Sequence, residues 1–167
     1  LLERERCAAA LRDFPMALFA QRLTPLHPDA RIRRYEILLR RNTPNAPDAA
    51  PEALLRNAEA MGLGSIIDRR VITSLVAWLR NHAQVWGSEP SQFSVNLSMT
   101  SLTDPDFMAF VSQCLRVANL PSGILVFEID QHRARDERAR LAVLADGFQS
   151  TGAGLVIDNF TLHDNSV

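Results

Sequence analysis

Four side chains in this sequence combine metal-binding chemistry with a place at or near the C-terminal end of a predicted strand, three of them directly after apolar residues. Glu36 lies in RRYEILLR, Asn96 closes FSVN, Glu128 sits in LVFEID and Asp158 ends LVID. A polar or charged group directly after buried residues is costly unless it is paired, hydrogen-bonded or bound to a cation. Three carboxylates and one amide oxygen brought together would form a hard, oxygen-rich site suited to Mg²⁺ or Mn²⁺. The spacing favours such a meeting: Asn96 to Glu128 is 32 residues and Glu128 to Asp158 is 30. That is the length of one strand-helix-strand unit. In a parallel barrel, the C-terminal strand ends share the face that carries the chemistry. Taken singly, each residue has an ordinary alternative, capping its strand or pairing with an arginine. The four together point to a site.

The elements that must position them can be read from periodicity. Residues 2–13 predict a helix, and 16–23 and 30–40 predict two strands joined across the turn-forming TPLHPD. The segment 41–51, with three prolines, predicts a loop. Two helices follow. The first covers 51–62, with Pro51 at its first position, and the second covers 65–86, with Ile67, Val71, Leu75 and Trp78/Leu79 on one face. A strand at 91–98, a helix from Asp104 to about Leu120, a buried strand at 123–130, a charged helix at 132–150 and a last strand at 154–160 complete the order. This alternation predicts an α/β fold with a parallel sheet.

Composition narrows the chemistry. All eighteen basic residues are arginine, so a P-loop or a lysine Schiff base is excluded within this sequence. A net charge of −1 argues against a DNA- or RNA-binding protein. Cys7 and Cys114 are far apart in apolar, helical surroundings and read as free thiols of a cytoplasmic protein. His27, His82, His132 and His163 lack metal-ligand spacing and read as surface or loop residues. No run approaches the roughly 18 apolar residues of a membrane span. The sequence opens on a charged helical stretch and stops just after a strand, as expected of a part of a longer polypeptide.

At its polar strand ends the sequence resembles the EAL domain family, TIM-barrel proteins that bind and often hydrolyse cyclic di-GMP. The resemblance runs from about Phe14 to the end, and five motifs stand in the family's order. AQRL resembles the first-strand segment, with Gln21, and YEILLR the EALLR signature, with Glu36 and Arg40. PEALLRNAEAMGLGSIIDRRVI keeps Pro51, Glu59 and Asp68. VNLS keeps Asn96, FEID keeps Glu128 and IDNF keeps Asp158. The resemblance implies the first two-thirds or so of a (β/α)8 barrel, a fold of about 250 residues. Residues 1–13 would be an N-terminal helix or a linker from an upstream domain, and 14–167 the partial EAL-like domain. Glu36, Asn96, Glu128 and Asp158 would bind the first divalent metal, Mg²⁺ or Mn²⁺, with Glu36 and Asp158 serving catalysis. Gln21 and Arg40 would contact cyclic di-GMP, the arginine through phosphate. A homodimer or a partner-protein contact is also implied, because an open partial barrel exposes strand edges.

The departures from the family matter equally. Ile37 replaces the alanine of the signature and is a bulkier side chain next to the metal site. Asn159 replaces the second aspartate of DDFG, and Thr161, Leu162 and His163 replace the Gly-Thr-Gly run. In the family that second aspartate serves a second metal, and the glycine-rich loop closes over the site and supports dimerisation. The catalytic lysine would lie beyond Val167. Changes to residues that merely orient metal ligands typically cost about 10- to 100-fold in affinity or activity, so losing a ligand charge should cost at least as much. Three functions follow. The first is a degenerate domain that binds cyclic di-GMP as a receptor or scaffold with little hydrolysis. The second is an active metal-dependent cyclic di-GMP phosphodiesterase, in which Asp158 bridges two metals. The third is a nucleotide-independent protein-interaction module, favoured by Ile37 and the altered 161–163 loop.

Overall fold

The structure, a computed structural model, describes residues 1–27, 29–42, 50–131 and 138–158. Helix α1 spans Leu2–Asp13. Strands β1 (Met16–Leu23) and β2 (Arg33–Arg41) follow. Helices α2 (Glu52–Ala60), α3 (Gly64–Asn81) and the short α4 (Ala83–Trp86) lead to β3 (Ser91–Asn96). Then come α5 (Met99–Thr103), α6 (Phe107–Ala118), β4 (Leu125–Asp130), α7 (Arg138–Thr151) and β5 (Gly154–Asp158). The strands form one sheet in sequence order. β1 pairs antiparallel with β2, and the remaining neighbours are parallel. This is an open stretch of an α/β barrel wall, as the strand-helix alternation predicts.

The element boundaries shift for local reasons. The proline expected at the first position of α2 stands just before it, where the Pro51 carbonyl accepts from Leu55 N at 3.0 Å. The single helix expected over 65–86 is two. α3 ends at Asn81, and the indole N–H of Trp86 donates to the Leu79 carbonyl at 2.8 Å, taking up a carbonyl at the helix end. α6 stops two residues short of Leu120 because Asn119 turns left-handed, with φ 52°. β3 ends at Asn96 rather than 98, because Ser98 becomes the N-cap of α5. The charged helix expected over 132–150 is seen as α7 from Arg138, while its first part, 132–137, and the end of the last strand, 159–160, lie outside the described residues, as do His132 and His163.

Alternation gives the sheet two unlike faces. One packs against the helices through Phe93, Val95, Leu125, Phe127 and Ile129, all buried. Phe127 meets Phe107 and Phe148 there, with ring centroids 6.2 and 4.7 Å away. α3 contributes Ile67, Val71, Leu75 and Leu79, as its apolar spacing predicts. Trp78 departs from that stripe: it is 40% exposed and stacks on the His82 ring at 4.7 Å. α1 is seated on the helical layer. Leu11 is fully buried, Arg70 donates to the Leu11 and Phe14 carbonyls, and Arg4 Nε donates to the Met61 carbonyl at 3.2 Å.

Ile37 requires a correction. It points to the helix-facing side, 6% exposed and part of the core, because adjacent strand residues project to opposite faces. Its bulk therefore fills the layer between sheet and helices and does not crowd the side on which Glu36 stands.

Candidate functional site

The second face of the sheet is polar at the C-terminal ends of its parallel strands. The pairing places Gln21 opposite Glu36, Glu36 beside Ser94, Asn96 beside Glu128, Glu128 beside Val156 and Asp158 beside Asp130. A period of two then puts Gln21, Glu36, Asn96, Glu128 and Asp158 on one face. Arg40 lies four residues beyond Glu36, on the same face by alternation, and its guanidinium donates to the neighbouring Leu39 carbonyl at 2.9 Å.

Two observations show that these side chains sense one another. The Asn96 amide Nδ2 donates to Glu36 Oε1 at 3.0 Å, joining residues 60 positions apart. Glu128 has its carboxyl raised above the ordinary range, first by burial and then by the negative charges of Glu36 and Asp158, against a lowering bond from Ser94. Carboxylates that repel one another at the mouth of a sheet form a donor set that a divalent cation neutralises. All the donors are oxygens, so the residues fit Mg²⁺ or Mn²⁺ in chemical type. Among the described residues, no three acidic, histidine or cysteine side chains are gathered tightly enough to share one ion. Asn159, Thr161, Leu162 and His163 lie outside the described residues.

Behind β3 stands a buried network to which sequence reasoning assigned no role, although Glu59 and Asp68 were visible as motif members. One Asp68 carboxylate oxygen accepts from Ser98 N at 2.8 Å, Ser98 Oγ at 2.6 Å and Ser101 Oγ at 2.7 Å. Glu59 accepts from Met99 N at 2.9 Å, and Ser65 N donates to Thr100 Oγ1 at 2.9 Å. Gly64 allows this close approach, since a Cβ there would stand 2.5 Å from Ser98 Cβ. Ser98 is visible in the sequence as an N-cap residue type, but nothing local pairs it with an acid 30 residues upstream.

Burial lifts the Asp68 carboxyl from 3.8 to about 6, with Glu59 adding to the rise and the two serines opposing it. The folded state thus binds this proton more tightly than the unfolded chain. Asp68 contributes stability that is absent above pH 6 and grows as the pH falls toward 4, by an order of magnitude of about 3 kcal/mol. Asparagine resembles the protonated acid. Asp68→Asn is therefore expected to melt at or above the parent temperature at pH 7, with the difference shrinking toward pH 4. Paired thermal melts across that range check it, and a lower midpoint at pH 7 would contradict it.

Comparison with known proteins agrees with this geometry. The EAL domain family matches residues 19–167. The cyclic di-GMP phosphodiesterase PdeB of Shewanella oneidensis is 27% identical over 155 residues, which is 93% of this chain and 18% of that protein. The cyclic di-GMP phosphodiesterase PdeF of Escherichia coli is 30% identical over 156 residues, 93% of this chain and 20% of that protein. The chain thus spans about a fifth of the length of these relatives. The FimX EAL domain from Pseudomonas aeruginosa bound to c-di-GMP superposes with a TM-score of 0.79 at 27% identity, over 96% of this chain and 62% of that one. The PaMucR phosphodiesterase in its c-di-GMP complex gives 0.76 at 26% identity, over 99% and 65%. The expected architecture, close to two-thirds of an EAL-type α/β barrel, is therefore the one observed. No helix among the described residues is long and apolar enough to cross a membrane. With residues 19–167 of this chain matched and its polar strand ends in the family's order, the chain belongs to the EAL domain family.

Proposed function

We propose that this domain binds cyclic di-GMP as a receptor or scaffold, with weak or no hydrolysis. The observation that carries the reading is the gathering of Gln21, Glu36, Asn96, Glu128 and Asp158 on one sheet face, with Asn96 bonded to Glu36 at 3.0 Å. In this reading Glu36, Asn96, Glu128 and Asp158 hold one divalent ion. Gln21 and Arg40 bind the dinucleotide, and the guanidinium, now resting on a backbone carbonyl, pairs with a phosphate oxygen. A bound divalent ion supplies positive charge against the phosphodiester and acidifies a water. Glu36 and Asp158 would help to hold that ion, and as carboxylates they could accept a proton from a water beside it. Asn159, an amide where the family has a second aspartate, withdraws one negative charge from a second metal position.

The second reading, an active cyclic di-GMP phosphodiesterase, is supported by the names of the relatives PdeB and PdeF. The nucleotide-independent module loses one of its supports, because Ile37 faces the helical layer. Three further parts of the proposal rest on separate observations. A homodimer or partner contact is supported by apolar side chains exposed on the helices, Val117 of α6 at 64% and Val143 of α7 at 72%. Cytoplasmic placement is supported by the unpaired thiols of Cys7 and Cys114. The division into helix 1–13 and EAL domain 14–167 is supported by the break at Phe14 and Pro15 between α1 and β1.

Titration calorimetry on the protein at its natural length tests the reading. Cyclic di-GMP is expected to release heat at micromolar concentration, more strongly with Mg²⁺ or Mn²⁺ than without. No heat at high micromolar ligand would remove both nucleotide readings.

A further inference from the structure

We propose that Asp68 is a positioning residue for Asn96: it holds the turn over residues 97–101 and thereby sets where the Asn96 amide stands relative to Glu36. The inference rests on the reading of Glu36 and Asn96 as partners in one site. Asn96 is the last residue of β3 and is exposed, so little packing directs its side chain. Its place is dictated by the backbone, which leaves the sheet immediately after it. That departure is held from three sides. Leu97 N donates to the Glu128 carbonyl of β4 at 2.9 Å. Asp68 of α3 gathers Ser98 N, Ser98 Oγ and Ser101 Oγ on one oxygen, and Glu59 of α2 takes Met99 N.

A five-residue helix does not need a buried carboxylate for its cap. Ser98 already provides a capping oxygen, accepting from Ser101 N at 3.4 Å. Asp68 instead draws the serine hydroxyl toward itself, at the cost of keeping a charge 7% exposed. One Asp68 oxygen ties the start of α5 to α3 through three donors. Charge-assisted bonds are roughly twice as strong as neutral ones. What they fix here is the direction in which the chain leaves Asn96.

The test uses the natural-length protein, labelled on its asparagines with ¹⁵N and free of metal. Asp68→Asn is expected to move the Asn96 side-chain NH₂ signal, assigned with Asn96→Ala, away from its bonded position. Ser101→Ala, which removes one donor and leaves the charge, is expected to move it less in the same direction. In Asp68→Asn the affinity for Mn²⁺ is expected to fall about tenfold, the lower range for residues that orient metal ligands, with no loss of melting temperature at pH 7. An unmoved Asn96 signal in both variants overturns the inference, as does a fall in Mn²⁺ affinity that simply follows a lower melting temperature. If Asp68→Asn does not fold, the Ser101→Ala signal decides. A moved signal in a protein that binds Mn²⁺ in no variant would leave the positioning role standing and overturn the proposed function.

Discussion

Glu36→Gln is expected to weaken metal-supported cyclic di-GMP binding by at least about 100-fold, or about 2.8 kcal/mol, while leaving the fold intact. The substitution keeps the side-chain shape and an oxygen that can still accept from Asn96 Nδ2, now at 3.0 Å. It also removes one of the two charges that push the Glu128 carboxyl up. The sheet has no reason to loosen, so the melting temperature should hold or rise slightly. What disappears is a unit of negative charge within the oxygen set, and a hard dication is held chiefly by such charge. Calorimetry with cyclic di-GMP and Mn²⁺, paired with a thermal melt, reads both quantities. Binding equal to that of the parent would show that Glu36 is not a metal ligand.

Asn159→Asp is expected to raise the Mn²⁺-dependent opening of cyclic di-GMP to the linear dinucleotide by at least about tenfold. The argument is one of charge. A two-ion site stabilises both the attacking and the leaving oxygen, and an amide offers a second ion no net charge. Turnover measured side by side on the parent and the variant checks it. A parent protein with robust hydrolysis would sink the degenerate reading and favour the phosphodiesterase. A variant with no gain, beside a parent that binds but does not turn over, would place the defect elsewhere, with Thr161, Leu162 and His163 next to be changed.

Much of the fold was legible because periodicity is a local property. The stripe Ile67, Val71, Leu75, Leu79 announces α3, and the apolar run of GILVFEID announces a buried strand. The site residues were legible for a related reason. Glu128 and Asp158 stand out because a carboxylate ending an apolar run needs compensation. Less legible was everything that depends on what comes across from another element. Trp78 fits the apolar stripe by spacing, but the helix turns it to the rim, where it meets His82. Asp68 could be seen as a motif member, yet its partners Ser98 and Ser101 lie about 30 residues away, and no local pattern says which hydroxyls it will gather.

The sequence by itself determined the order of strands and helices, the oxygen chemistry of their ends, the lack of lysine and the amide at Asn159. These follow from residue type and short-range spacing, which are complete in the chain before it folds. The tertiary structure decided which side of the sheet each residue serves. It turned Ile37 into the core beside a Glu36 that faces the other way, joined Asn96 to Glu36 across 60 residues, and raised the proton affinity of Glu128 by burying it and by setting it near Glu36 and Asp158. The reason is register: strand pairing fixes, to a single residue, which side chains share a face, and a slip of one residue would have reversed them all.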